Sequence, residues 1–182
     1  RFPAFASEVE KCFGNATSDE PDSANQEQSK TPRFIGPYKI LQPIGEGGMG
    51  TVYNALHVHL NKPFAVKVLA ERIAKNRDAV ERLRQEAQAA SSIDHDNIVD
   101  VVSFDATPDG RVYLVMELLD GTSLGDLVDR GPMDLERALP ILYQLCDAIG
   151  AAHDNGIVHR DLKPDNVFIV RKAEADFVKV LD

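Results

Sequence analysis

The sequence predicts an α+β fold in which a sheet-rich first half precedes a helical second half. Three observations carry this reading. Strand-length runs rich in β-branched and aromatic residues crowd positions 34–116 between turn residues, helix-spaced apolar stripes dominate from Gly121 onward, and 182 residues at 43% apolar content suffice for one ordinary core.

Residues 1–33 form a tail, of which 14–33 hold almost nothing that could be buried. Ordering them would lose entropy without return, so a disordered linker is expected there. Ahead of it Phe5, Val9, Cys12 and Phe13 recur at i, i+4, i+7 and i+8, the pattern of a short amphipathic helix. From Phe34 onward three strands are expected at 38–44, 51–59 and 64–69, the last two joined by an Asn61-Lys62-Pro63 turn. Residues 76–91 form a helical pattern with Val80, Leu83, Ala87 and Ala90 as its stripe. Strands at 98–104 and 112–116 follow, connected through Pro108-Asp109-Gly110. A short helix is expected at 124–129 and a long one from Asp134, with Leu135, Leu139, Leu142, Cys146 and Ile149 as its apolar face and Gly156 as C-terminal cap. Pro140 is tolerable in that helix only near its first turns or with a mild kink. Two short strands, 167–170 and 177–181, close the pattern.

The formal charge of −9 argues against a nucleic-acid partner, because phosphate-backbone binding needs clustered Lys and Arg. Cys12 and Cys146 lie far apart without a disulfide framework, which fits free thiols in a reducing, cytoplasmic setting. No run reaches the roughly 18 apolar residues needed to cross a bilayer, and no signal-peptide pattern opens the chain.

Chemistry concentrates in four places. The run Gly45-Glu46-Gly47-Gly48-Met49-Gly50 contains G-x-G-x-x-G, a pattern shared with dinucleotide-binding folds. There the loop must open a helix, whereas Thr51, Val52 and Tyr53 are strand formers, so a strand-to-strand hairpin is expected. Its glycines either carry backbone N–H groups over phosphates or merely make a flexible turn. Lys67 sits inside the apolar strand Phe64-Ala65-Val66-Lys67, where a buried ammonium needs an anion. Glu86, at i+3 from Leu83, is the candidate on the inward side of its helix. Glu86 could instead pair with Arg82 on the surface, and Lys67 could extend to solvent. Finally, His159-Arg160-Asp161-Leu162-Lys163-Pro164-Asp165-Asn166 is followed sixteen residues later by Asp182, after Val178-Lys179-Val180-Leu181.

In this order the motifs resemble those of a eukaryotic-type protein kinase, closest in flavour to the serine/threonine kinases found in bacteria. The resemblance covers 34–182 and implies a bilobal fold. Residues 34–119 would be the N-lobe and hinge, with a five-stranded antiparallel sheet and one helix, and 120–182 the first part of a mostly helical C-lobe. It implies ATP- and Mg²⁺-dependent phosphoryl transfer to Ser or Thr hydroxyls on protein substrates, autophosphorylation among the options. Gly45, Gly47 and Gly50 would cover the triphosphate and Lys67, oriented by Glu86, would hold its α- and β-phosphates. Val52 and Ala65 would press on the adenine, Met116 act as gatekeeper, Glu117 to Leu119 form the hinge, and Phe168 lie beneath the ring. Asp161 would handle the substrate hydroxyl proton, Lys163 neutralise charge on the transferring group, and Asn166 and Asp182 hold the metal. Arg160 resembles an arginine that receives an activation-loop phosphate, and His159 a packing and hydrogen-bonding residue.

The sequence offers two competing classes, a non-catalytic scaffold and a small-molecule phosphotransferase; the full residue set speaks against the first and the Leu-Lys-Pro loop against the second. His57 and His59 share a strand face without a third ligand nearby, so they are expected as exposed histidines rather than a metal site. Thr31-Pro32 is expected as a linker turn, and Asp96, where the family usually carries proline, as a tolerated change. Because the chain ends on the metal aspartate, 1–182 alone is expected to be inactive and aggregation-prone, with Leu139, Leu142 and Cys146 exposed. Any membrane anchor of a longer parent is left open.

Overall fold

The computed structural model describes residues 32–172 and 175–181. The expectations for the helix pattern at Phe5–Phe13, for the linker up to Thr31, for Cys12 and for Asp182 lie outside the described residues.

Alternation of apolar and polar residues builds the first sheet. Strands β1 (Phe34–Ile35), β2 (Tyr38–Gly47), β3 (Gly50–His57), β4 (Lys62–Leu69), β5 (Val101–Ala106) and β6 (Val112–Glu117) pair antiparallel in the order β1-β2-β3-β4-β6-β5. The five expected strands are there, and β1 adds a two-residue edge. Because side chains alternate faces along a strand, β4 sends Phe64 and Val66 into a core with Ile35, Tyr38, Ile40, Ala55, Tyr113 and Val115. Ala65 goes to the opposite face, where it meets Val99 and Met116. Lys67, two residues on from Ala65, shares that second face.

Two boundaries differ from expectation. Lys62 and Pro63 belong to β4 rather than to a turn, because His57 Nδ1 accepts the backbone N–H groups of His59 (3.3 Å) and Leu60 (3.2 Å) and closes the connection earlier, with Asn61 at φ 51°. Residues 98–100 precede β5. Ile98 instead makes a parallel bridge to Val180, and Val99 N–H donates to the Val180 carbonyl (2.9 Å), which drops Val99 into the Ala65–Met116 cluster.

Two helices separate β4 from β5, the single turn α1 (Glu71–Ala74) and α2 (Arg77–Ser91). The Asn76 side chain caps α2 by accepting from Ala79 N–H at 3.1 Å. Ala87 is buried, with Val80, Leu83 and Ala90 half-buried beside it, as the stripe predicts.

The helical half comprises α3 (Leu124–Asp129), capped by Ser123, and α4 (Leu135–Asp154), which ends through Gly156 at φ 73°. A second sheet, ordered β7 (Gly121–Ser123), β8 (Val167–Lys172) and β9 (Ala175–Val180), packs on α4. On α4, Leu139, Leu142 and Cys146 are exposed as expected, and other residues of the helix make its buried side. Ile141, Ala148 and Ala152 are buried and Leu145 and Ile149 pack beside them, whereas Leu135, Leu139, Leu142 and Cys146 are exposed. The helix carries two apolar stripes, and periodicity alone does not say which one the sheet covers. Among the described residues, no helix is long and apolar enough to cross a membrane.

The two sheets are tied by polar side chains. The buried Asn97 carboxamide donates to Gln144 Oε1 (3.0 Å) and to the Val178 carbonyl (2.8 Å), while the Asn97 backbone carbonyl accepts from Val180 N–H (2.8 Å). His95, whose Nε2 lies 3.3 Å from Asp147 Oδ2, braces the same turn by accepting from Asn97 N–H, so Asp96 sits in a loop held by its neighbours. Lys179 Nζ, only 12% exposed, donates to Glu117 Oε1 (2.5 Å) and to the Ile98 carbonyl (3.1 Å), and Asp100 N–H also donates to Glu117 (2.9 Å).

Asn97→Ala should therefore take a donor from Gln144 Oε1 and from the Val178 carbonyl and lower stability of the full-length protein by about 2 kcal/mol, measured by denaturant unfolding. Lys179→Met should lower it by about 2–3 kcal/mol through the uncompensated Glu117 carboxylate, and adding Glu117→Leu should restore most of the loss. A double variant no more stable than the single one would show that packing rather than charge governs this site.

Candidate nucleotide-binding and catalytic site

The glycine run forms the β2–β3 hairpin, with Gly45 opposite Val52, Glu46 opposite Thr51 and Gly47 opposite Gly50. Gly50 has φ 146°, and a Cβ there would lie 2.0 Å from the Val68 carbonyl oxygen, so only glycine fits. The tip is pinned from the chain after β4: Ala70 N–H donates to the Met49 carbonyl (2.9 Å), and Arg72 Nη2 donates to the Gly48 carbonyl.

Below the hairpin, Ala65 and Met116 are buried together, and Val52, Leu114, Leu118 and Leu181 pack against them. The strand register explains this, since Ala65 pairs with Met116 and Val52 with Lys67. The segment Glu117 to Leu119 leaves β6 half-buried, with the Glu117 side chain held by Lys179. Phe168 in β8 stands opposite Ser123 and Lys179 and is half-buried.

Glu86 departs from expectation. Its side chain is exposed, and among the described residues no ion pair joins it to Lys67 or to Arg82. The helix α2 buries Ala87 with Leu83 and Ala90 half-buried beside it, and Glu86 stays exposed at the flank of that stripe. Lys67 itself is half-buried.

The segment after α4 carries the densest polar geometry. Lys163 Nζ donates to Asp161 Oδ2 at 2.9 Å, and Asn166 Nδ2 donates to both the Asp161 carbonyl (2.9 Å) and Oδ2 (3.2 Å). The hydrogen bond from Lys163, opposed in part by desolvation and helped by the Lys163 charge and Asn166, holds the Asp161 carboxyl below the usual aspartate range. Asp161 stays exposed and Asn166 is half-buried. With Nδ2 committed to Asp161, the Asn166 carboxamide presents its oxygen elsewhere. Arg160 adopts φ 62° as Asp161 N–H bends back to the His159 carbonyl (2.8 Å), and its side chain is exposed. His159 Nε2 donates to the Leu181 carbonyl (2.8 Å), the hydrogen-bonding role expected of it, and its Nδ1 is buried. A 3-10 turn over Pro164–Asn166 leads into β8, and Leu181 N–H donates to the Asn166 carbonyl at 2.8 Å.

Sequence reasoning missed three residues around this site. Lys179 stands in an apolar strand in the same way as Lys67, and that signal could have found it. Gly125 faces Asp165 so closely that a Cβ would lie 2.5 Å from Oδ1. Arg72 has no local signal, because its contact depends on where α1 places it.

A family model described as the protein kinase domain matches residues 38–182. The serine/threonine-protein kinase Pkn1 of Myxococcus xanthus is 47% identical over 148 residues, covering 81% of this chain and 21% of that protein. The serine/threonine-protein kinase PrkC of Bacillus subtilis is 42% identical over 138 residues, covering 75% and 21%. The crystal structure of the Mycobacterium tuberculosis PknI kinase domain superposes with a TM-score of 0.69 at 26% identity, covering 82% of this chain and 60% of that one. The chain thus spans about a fifth of the length of these curated relatives. With the match extending over most of its length, the chain belongs to the protein kinase domain family.

Proposed function

We propose that the full-length protein is a serine/threonine protein kinase that transfers the γ-phosphoryl group of ATP to protein Ser and Thr hydroxyls, its own among them, on the cytoplasmic side of the cell. The observation that carries this is the hydrogen-bonded triangle of Asp161, Lys163 and Asn166, an anion, a cation and a carboxamide held within one short loop.

In this reading 34–119 form the nucleotide-binding lobe with its hinge and 120–182 the start of the catalytic lobe. The backbone of Gly45, Gly47 and Gly50 covers the phosphates, and Lys67 supplies a cation from the strand face beneath them. Val52, Ala65 and Met116 line the adenine side, with the Glu117–Leu119 backbone as its hydrogen-bonding edge and Phe168 below. Asp161, kept ionised by Lys163, orients the attacking hydroxyl and accepts its proton, and Lys163 then stands beside the charge that develops on the transferring group. The Asn166 oxygen and the Asp182 carboxylate are hard donors suited to Mg²⁺. When bound, that ion would neutralise and align the triphosphate. Glu86 orients Lys67 only after α2 rotates, and Arg160 is placed to receive a phosphate from a regulatory loop.

The gap between Lys67 and Glu86 favours one alternative, a nucleotide-binding scaffold without transfer. Label transfer from ATP to a generic basic protein separates the two. Asp161→Asn in the full-length protein should lower kcat about 10²- to 10⁴-fold with thermal unfolding unchanged, and unaltered turnover would remove Asp161 from the mechanism.

The pH dependence follows from the depressed Asp161 value. Activity needs the ionised carboxylate, so it should persist above, and fall as pH drops through, a value below the ordinary aspartate range. Lys163→Ala removes the largest lowering cause, and the acid limb of kcat/KM should move to higher pH. An acid limb that stays in place in this variant would dissociate the limb from Asp161.

A further inference from the structure

We infer that Arg72 is a positioning residue for the nucleotide's phosphates, acting through the carbonyl of Gly48 at the tip of the glycine hairpin; this rests on the nucleotide-binding reading above. The tip, Gly47-Gly48-Met49-Gly50, has three glycines in four residues and would by itself sample many backbone conformations. It is nevertheless tied to the chain that follows β4 at consecutive carbonyls. Met49's carbonyl accepts from Ala70 N–H at 2.9 Å, and Gly48's carbonyl accepts from the Arg72 guanidinium. The first tie is backbone and independent of sequence. The second exists only because residue 72 is an arginine.

A planar trans peptide points its C=O and the following N–H in opposite directions. Drawing the Gly48 oxygen to Arg72 therefore turns the Met49 N–H away from the guanidinium, and the tip presents a donor on its free side, the polarity that a phosphate oxygen requires. Arg72 is itself anchored. It lies in α1, whose first turn is closed by Ile73 N–H and Ala74 N–H on the Ala70 carbonyl (2.8 and 3.0 Å). The neighbouring carboxylate of Glu71 is engaged by Lys75 at 2.6 Å. Gly48 also leaves room for the contact, since even a Cβ there would stand 3.6 Å from Arg72 Nη2.

Fixing the tip before the ligand arrives removes an ordering cost from binding. The benefit applies only to ligands that reach the tip, so it should separate ATP from adenosine. The experiment compares wild type, Arg72→Ala and Arg72→Lys in the full-length protein, with MgATP and adenosine affinities by calorimetry, steady-state KM and kcat, and thermal unfolding without ligand. Arg72→Ala should weaken MgATP binding about five-fold, the size of one lost hydrogen bond, and raise KM accordingly. Adenosine affinity, kcat and the unfolding midpoint should move little, and Arg72→Lys, which keeps a donor, should recover most of the loss. Unchanged or tighter MgATP binding in Arg72→Ala overturns the inference, as does an equal loss for adenosine, which would mark a general structural effect. Wild-type protein that binds no MgATP overturns the nucleotide-binding reading itself, and this inference with it.

Discussion

The loop from His159 to Asn166 and the segment that leads into β5 are joined by hydrogen bonds through the end of β9. Asn97 accepts from Val180, the next residue donates to Asn166, and Asn166 in turn holds Asp161. Leu181 also offers its carbonyl to His159. A buried amide is stabilising only when its polar atoms are satisfied, and Asn97 meets that condition by bonding to α4, to β8–β9 and to its own turn at once. The position of Asp161 relative to the glycine hairpin thus depends on a side chain far from either in sequence. Lys179 adds a charged tie on the other edge of the same strand, joining it to the start of the hinge.

Much of this was legible in the residues. The pleat puts Ala65 and Lys67 on one face and Phe64 and Val66 on the other, so alternation along this apolar strand already assigns the lysine to the face of Ala65. The loop from His159 to Asn166 is local enough for its spacing to encode its geometry. What failed to be legible depended on choices between equivalent faces. On α4 two apolar stripes compete, and only the position of β8 and β9 selects Ile141 and Ala148 over Leu139 and Leu142. On α2 the stripe is shallow and alanine-rich, so spacing alone does not say whether Glu86 beside Ala87 turns inward, and it is exposed. Residues 98–100 have strand composition, yet tertiary pairing with Val180 overrides it.

Charge is distributed against the average. The chain carries 29 acidic and 20 basic residues, yet Lys67, Arg72, Arg160 and Lys163 all belong to the segments assigned to the site or its border. The depressed Asp161 carboxyl follows chiefly from its hydrogen bond to Lys163, with the Lys163 charge and the Asn166 amide adding to it.

The close approach of Gly125 and Asp165 sets the start of α3 against the 3-10 turn of Pro164–Asn166. Gly125 lies in the first turn of α3, where glycine weakens a helix and alanine would ordinarily strengthen it. Here a Cβ would stand 2.5 Å from Asp165 Oδ1, so alanine would require that exposed carboxylate to swing aside. Glycine at this position lets the Asp165 carboxylate lie against the start of α3, a seat that alanine would exchange for a stronger helix.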